Sequence, residues 1–161
     1  MSDHNPQSTA KIAGHPLHPM IVPFPIAFFV SALVTDLIYL ATDRAGFADA
    51  SVWLIGAGLA AAALAGILGL ADFLGDRMVR GMSQAWMHLV GNGIAVLLEI
   101  ANLAVRAVGG AQGGLAPTGI VLSAIVTAVL VFTGWMGGEM VYRRHVGVAD
   151  AAEAKVRVRG R

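Results

Sequence analysis

The sequence contains no cysteine. That excludes disulfides, thiolate zinc sites, iron–sulfur ligation and a cysteine nucleophile. Charge is the second shortage. Asp, Glu, Lys and Arg make up 13% of the 161 residues, against about 25% in a typical soluble domain. So few charges cannot coat a globule of this length in water. The net charge is only +1, which argues against a nucleic-acid binder, whose affinity rests on neutralising phosphates. Disorder is excluded by a hydrophobic content of 57%, because disordered chains lack the apolar residues to bury. A serine-centred elbow, a phosphate loop and an HExxH motif are also missing, so nothing marks a hydrolase or transferase.

Long apolar runs are what the chain does have, and its mean hydropathy is +0.70. A membrane span needs about 20 mostly apolar residues. Four segments meet that length: residues 20–41, 52–71, 85–105 and 117–138. The connections between them are short, which forces neighbouring helices to run antiparallel. The expected fold is an all-α membrane protein, an up-down bundle of four transmembrane helices in contact with the lipid bilayer. Residues 1–14 read as a flexible cytoplasmic tail, 15–148 as the transmembrane domain and 149–161 as a basic cytoplasmic tail. The polar start and the long apolar stretch after it do not match a cleavable signal.

Orientation follows from Lys and Arg, which favour cytoplasmic loops. One side of the expected bundle holds Lys11, Arg77, Arg80, Arg143, Arg144, Lys155, Arg157, Arg159 and Arg161; the other holds Arg44 and Arg106. That asymmetry puts both termini in the cytoplasm.

Ionisable groups inside a span are costly and by default mark function. The third span carries His88, Asn92, Glu99 and Asn102. At about 100° per residue these fall within an arc of about 80° on one helix face. The stripe must point into the bundle, either as an interhelical hydrogen-bond ladder or as part of a proton or cation pathway. Asp36 of the first span sits at a depth similar to Glu99, so the two carboxyls are expected to approach, sharing a proton or a cation or each making a separate polar contact.

The histidines gather at the other end. His15 and His18 precede the first span, His88 begins the third, and His145 follows the fourth. Asp72 and Glu139 close the second and fourth spans at the same end. His88, His18, His15, Asp72, Glu139 and His145 are therefore candidate metal ligands, with His88, His18 and His15 as candidate ligands of a cofactor. Met20, Met78, Met82, Met87, Met136 and Met140 fall at that end too. Imidazole and thioether together suit copper(I) or haem iron, although methionine more often fills gaps in a core. In the second span Gly58, Ala61, Ala65, Leu68 and Asp72 share a face. Small residues there permit close helix packing or leave room for a flat prosthetic group.

The segments GHPLHPM (14–20), VPFPIAFF (22–29) and GWMGGEMVYRRHVGV (134–148) resemble the family called domain of unknown function 2231. The resemblance implies a small bacterial four-helix protein of the inner membrane, and no established activity. It resembles b-type transmembrane cytochromes only loosely. Pro23 and Arg144 stand where many relatives carry His, so His15, His18 and His88 are the stronger ligand candidates. Three readings remain open at this stage. One is haem b or a transition metal in an electron-transfer role, with a redox protein as partner. The second is a proton or cation pathway through Asp36, Asn92 and Glu99, which four short helices would form as a homo-oligomer. The third is a non-catalytic accessory subunit with no cofactor.

Overall fold

The computed structural model describes residues 4–149. A short hairpin of β1 (Lys11–Ile12) and β2 (His15–Pro16) leads into α1 (His18–Ile21) and α2 (Pro23–Thr42). Then come α3 (Ala45–Gly75), the single turn α4 (Arg77–Arg80), α5 (Ser83–Gly113) and α6 (Ile120–Gly138). Wide turns of i→i+5 type, Leu115–Gly119 and Glu139–Arg143, flank α6. Four helical stretches are long and apolar enough to cross a membrane: His18–Thr42, Ala45–Gly75, Ser83–Gly113 and Leu115–Arg143. α2 packs on α3, α3 on α5, α5 on α6 and α6 on α2, which closes the ring of an up-down bundle.

The spans are longer than the apolar runs suggested. Only Asp43 and Arg44 separate α2 from α3. Asp43 ends α2 in the left-handed conformation, with its N–H donating to the Tyr39 carbonyl at 2.7 Å. Aspartate tolerates that geometry better than most residues. At the other end of α3, Asp76 caps α4 by accepting from the Met78 N–H at 2.7 Å. The largest correction concerns α5. The expected span stopped at Val105, but the helix runs on past Arg106 and breaks only at Gly110, whose φ of 76° is non-helical, before a last turn to Gly113. Arg106 is therefore not an outer-loop charge. It is 2% exposed, inside the bundle.

Residues 5–10, expected as part of a free tail, lie against the end of α3 and against Gly147 and Val148. Asp72 Oδ1 accepts from Ser8 Oγ at 2.9 Å and from the Thr9 and Ala10 N–H groups at 2.8 and 2.7 Å. Asp76 accepts from the Gln7 N–H, and Gly147 N–H donates to the Pro6 carbonyl, each at 2.8 Å. Two acidic side chains at the end of α3 thus hold the entering chain by its backbone donors.

The interior is layered. A central apolar cluster joins Phe29 of α2, Ala95 of α5, and Val126 and Leu130 of α6, with Leu59 and Ala62 of α3 packed against it. Gly58 makes room for it: a methyl group there would lie 2.4 Å from the Phe29 ring. Polar side chains lie along the helices on both sides of this cluster. A second apolar cluster, Phe73, Val79 and Ala85 with Met82, Leu89, Met140 and Val146, closes the end of the bundle that carries the termini. Met82 and Met140 act there as packing.

Candidate functional site

On the terminal side of the central cluster, the sequence of α1 places His18 where it faces His88 of α5. Their ring centroids are 6.1 Å apart, with planes at 85°. His18 Nδ1 lies 2.8 Å from the Ala65 carbonyl of α3, and His88 Nδ1 lies 2.8 Å from the Thr133 carbonyl of α6. A carbonyl only accepts, so Nδ1 carries the hydrogen in both rings. In the neutral tautomer that leaves each Nε2 with a free lone pair. Fixing a ligand histidine through Nδ1–H and a carbonyl is the usual outer-shell arrangement around metals.

All four long helical stretches take part in seating this pair. Gly69 of α3 lies against the His18 ring, where an added methyl group would come within 2.8 Å of it. Gly137 adjoins His88 more loosely, since an added methyl group there would lie 3.4 Å from the ring, an ordinary contact. Close packing thus requires glycine at Gly58 and Gly69. Asn92, one turn along from His88, donates to the His88 carbonyl at 2.7 Å and accepts from Thr133 Oγ1 at 3.3 Å.

The other expected ligands sit elsewhere. His15 is exposed in β2, and His145 is exposed at a positive φ of 55°. Asp72 holds the N-terminal segment, as described above. Glu139 pairs with Arg143 at 3.3 Å. Among the described residues, no three His, Asp or Glu side chains form a group able to hold a metal. The expected cluster of six thus reduces to two facing imidazoles.

Beyond the central cluster lies a second polar layer. Arg106 and Asp36 form a two-pronged ion pair: Nη1 to Oδ1 at 2.8 Å and Nη2 to Oδ2 at 2.7 Å. Arg106 also donates to Ser51 Oγ at 3.0 Å, to Asn102 Oδ1 at 2.9 Å and to Ser123 Oγ at 3.3 Å. All five guanidinium hydrogens are used. Ser123 donates to Asp36 Oδ2 at 2.8 Å, and Asn102 donates to Ser123 Oγ at 3.0 Å and to Glu99 Oε2 at 3.1 Å. Asp36, Ser51, Glu99, Asn102 and Ser123 are each 0% exposed.

Asp36 and Glu99 therefore enter one network, as their depths suggested, but they are joined through Arg106, Ser123 and Asn102. Their carboxylates form no direct hydrogen bond. Arg106, Ser51 and Ser123 were not among the residues expected from sequence. For Arg106 the signal was present: it lies four residues beyond Asn102, and it continues the stripe that starts at His88. The two serines carry no comparable signal.

Four apolar helices enclosing buried polar layers define an integral membrane protein of the helical-bundle class. The chain belongs to the family described as Predicted membrane protein (DUF2231), whose model matches residues 14–150. No curated protein and no solved structure matches it.

Proposed function

We propose that the protein binds a metal centre between His18 and His88, as haem b iron or a single transition-metal ion, in an electron-transfer or redox role. The spacing of the two rings carries this reading. With a metal–nitrogen bond of about 2.0 Å and the nitrogen about 1.1 Å from the ring centre, imidazoles on opposite sides of one metal have centroids about 6.2 Å apart. The observed separation is 6.1 Å. The locked Nδ1–H groups support the reading as well, since they leave both Nε2 atoms as the ligating nitrogens.

The donor set narrows the metal. A structural zinc site takes four protein ligands, whereas haem iron asks the protein only for axial ligands, and soft copper(I) accepts few. Two histidines on separate helices fit the last two. Purified protein is expected to show either a haem absorption spectrum or bound copper by elemental analysis. His88→Ala should abolish it, His18→Ala should weaken it severely, and His145→Ala should leave it unchanged. A wild-type protein free of haem and metal after expression with both supplied ends the proposal.

We also propose that the histidine end faces the cytoplasm of a bacterial inner membrane. Lys11, Arg77, Arg80, Arg143 and Arg144 lie at that end, and with Arg106 buried only Arg44 remains on the opposite connections. The asymmetry is sharper than the sequence count. A periplasmic reporter fused after Arg44 is expected to be active; activity only in a fusion at the histidine end reverses the topology.

A further inference from the structure

The Arg106 layer contains two carboxyls and one cation. Arg106 and Asp36 neutralise each other through two short hydrogen bonds. Nothing comparable faces Glu99. Its Oε2 accepts one hydrogen bond from the neutral Asn102 amide, and its Oε1 has no partner at all. The side chain is fully buried.

The donors around it are exhausted. Arg106 spends its five hydrogens on Asp36, Ser51, Asn102 and Ser123. Asn102 spends both amide hydrogens on Glu99 and Ser123, and Ser123 gives its only hydrogen to Asp36. The charged groups in the layer are Asp36 from α2 and Arg106 from α5; α3 contributes Ser51 and α6 contributes Ser123, both neutral. Toward the histidine end the layer is backed by the apolar cluster of Ala95, Val126, Leu130 and Phe29. An ionised Glu99 would give the layer an uncompensated negative charge with one oxygen bare of donors. A buried charge without partners costs far more than a buried neutral group lacking one hydrogen bond.

We propose that Glu99 is a proton-binding site, held as the neutral acid in the folded protein at neutral pH beside the arginine–aspartate ion pair. The ligand is a proton. This reading is independent of the histidine pair, which lies across the apolar cluster, so the two can fail separately.

Infrared spectroscopy of the protein in lipid vesicles tests it. The expected result at neutral pH is a carbonyl stretch of a protonated carboxylic acid that moves in heavy water. The stretch should shift again when the protein is grown on isotope-labelled glutamate, which assigns it to a glutamate side chain. The chain has only three glutamates, Glu99, Glu139 and Glu153; Glu139 is already paired with Arg143. Glu99→Gln, nearly the same shape, should remove the band, and the double variant His18→Ala, His88→Ala should keep it. Absence of the band in wild-type protein overturns the proposal. So does a band that responds to labelled aspartate rather than glutamate, or one that persists in Glu99→Gln. A band that appears only after sodium and potassium are removed assigns a metal cation to the site and overturns the proton.

Discussion

The histidine layer and the arginine layer are built from the same four helices, yet they obey opposite rules. In the arginine layer side chains bond to side chains, Arg106 has every hydrogen engaged, and its polar residues are at most 2% exposed. In the histidine layer both rings bond to backbone carbonyls and are half-buried, and each imidazole keeps one nitrogen unengaged by protein. A closed network stabilises and fixes helix positions. An open pair of imidazole nitrogens held in fixed orientation leaves capacity for something else. The central cluster of Phe29, Ala95, Val126 and Leu130 keeps the two apart. His88 and Glu99 are eleven residues apart on one helix, or about 16 Å at 1.5 Å per residue.

This division also changes what the polar stripe of α5 means. As a periodic pattern, His88, Asn92, Glu99 and Asn102 read as one continuous path through the membrane. The structure interrupts it at Ala95, which is 1% exposed within the apolar cluster. The stripe is therefore divided into two polar layers on one helix face.

The strongest break in the comparison comes from Arg106→Leu. It removes the cation of the closed layer, leaving Asp36 buried without its partner and two further acceptors, Ser51 Oγ and Asn102 Oδ1, without a donor. Breaking a buried pair from one side costs about 3–5 kcal/mol, and lipid offers Asp36 no water in exchange. The expected outcome is loss of most folded protein from the membrane, measured as the monodisperse fraction after extraction in mild detergent. His88→Ala, in the open layer, should be recovered at close to the wild-type level. Equal losses from both variants would show that the two layers do not differ as described.

A smaller effect tests the open layer without replacing either histidine. Gly69→Ala places a methyl group within 2.8 Å of the His18 ring. Overpacking of this kind typically costs about 1–3 kcal/mol, and here the ring must tilt away from the Ala65 carbonyl. Bound haem or metal should fall several-fold while the protein remains folded. Gly66→Ala is the control, because nothing lies within 4 Å of a methyl group at that position. Unchanged loading in Gly69→Ala would show that the ring orientation set by α3 does not matter to binding.

Much of this was legible before any coordinates. Span number, the inward face of α5 and the gathering of histidines at one end all follow from apolar length and helical period, which are local properties. Which histidines meet was not legible. His15 and His18 look equivalent in GHPLHPM, but the hairpin ending at Pro16 leaves His15 exposed, and only His18 enters the helix that contacts α3. Arg106 was misplaced because hydropathy treats every arginine as a span end. Its position is set by Asp36, seventy residues away in sequence, and a pairing across helices leaves no mark on the local pattern.

The finest test sets two residues of one type on one helix against each other. Asn102 bonds to Glu99, Ser123 and Arg106, all fully or almost fully buried. Asn92 donates only to the His88 carbonyl and accepts a longer bond from Thr133. Asn102→Ala strands an arginine hydrogen and takes from Glu99 its one hydrogen-bond partner, and leaving buried groups unsatisfied costs about 1–3 kcal/mol. Asn92→Ala removes a side chain whose main bond goes to a carbonyl already engaged in the helix. Single hydrogen bonds between groups in a membrane bundle average about 0.6 kcal/mol, and that is the size expected for Asn92. Unfolding of each variant by titration with a denaturing detergent, against wild type, gives the two values. A larger loss at Asn92 than at Asn102 would place the structural weight in the histidine layer and invert the assignment of roles.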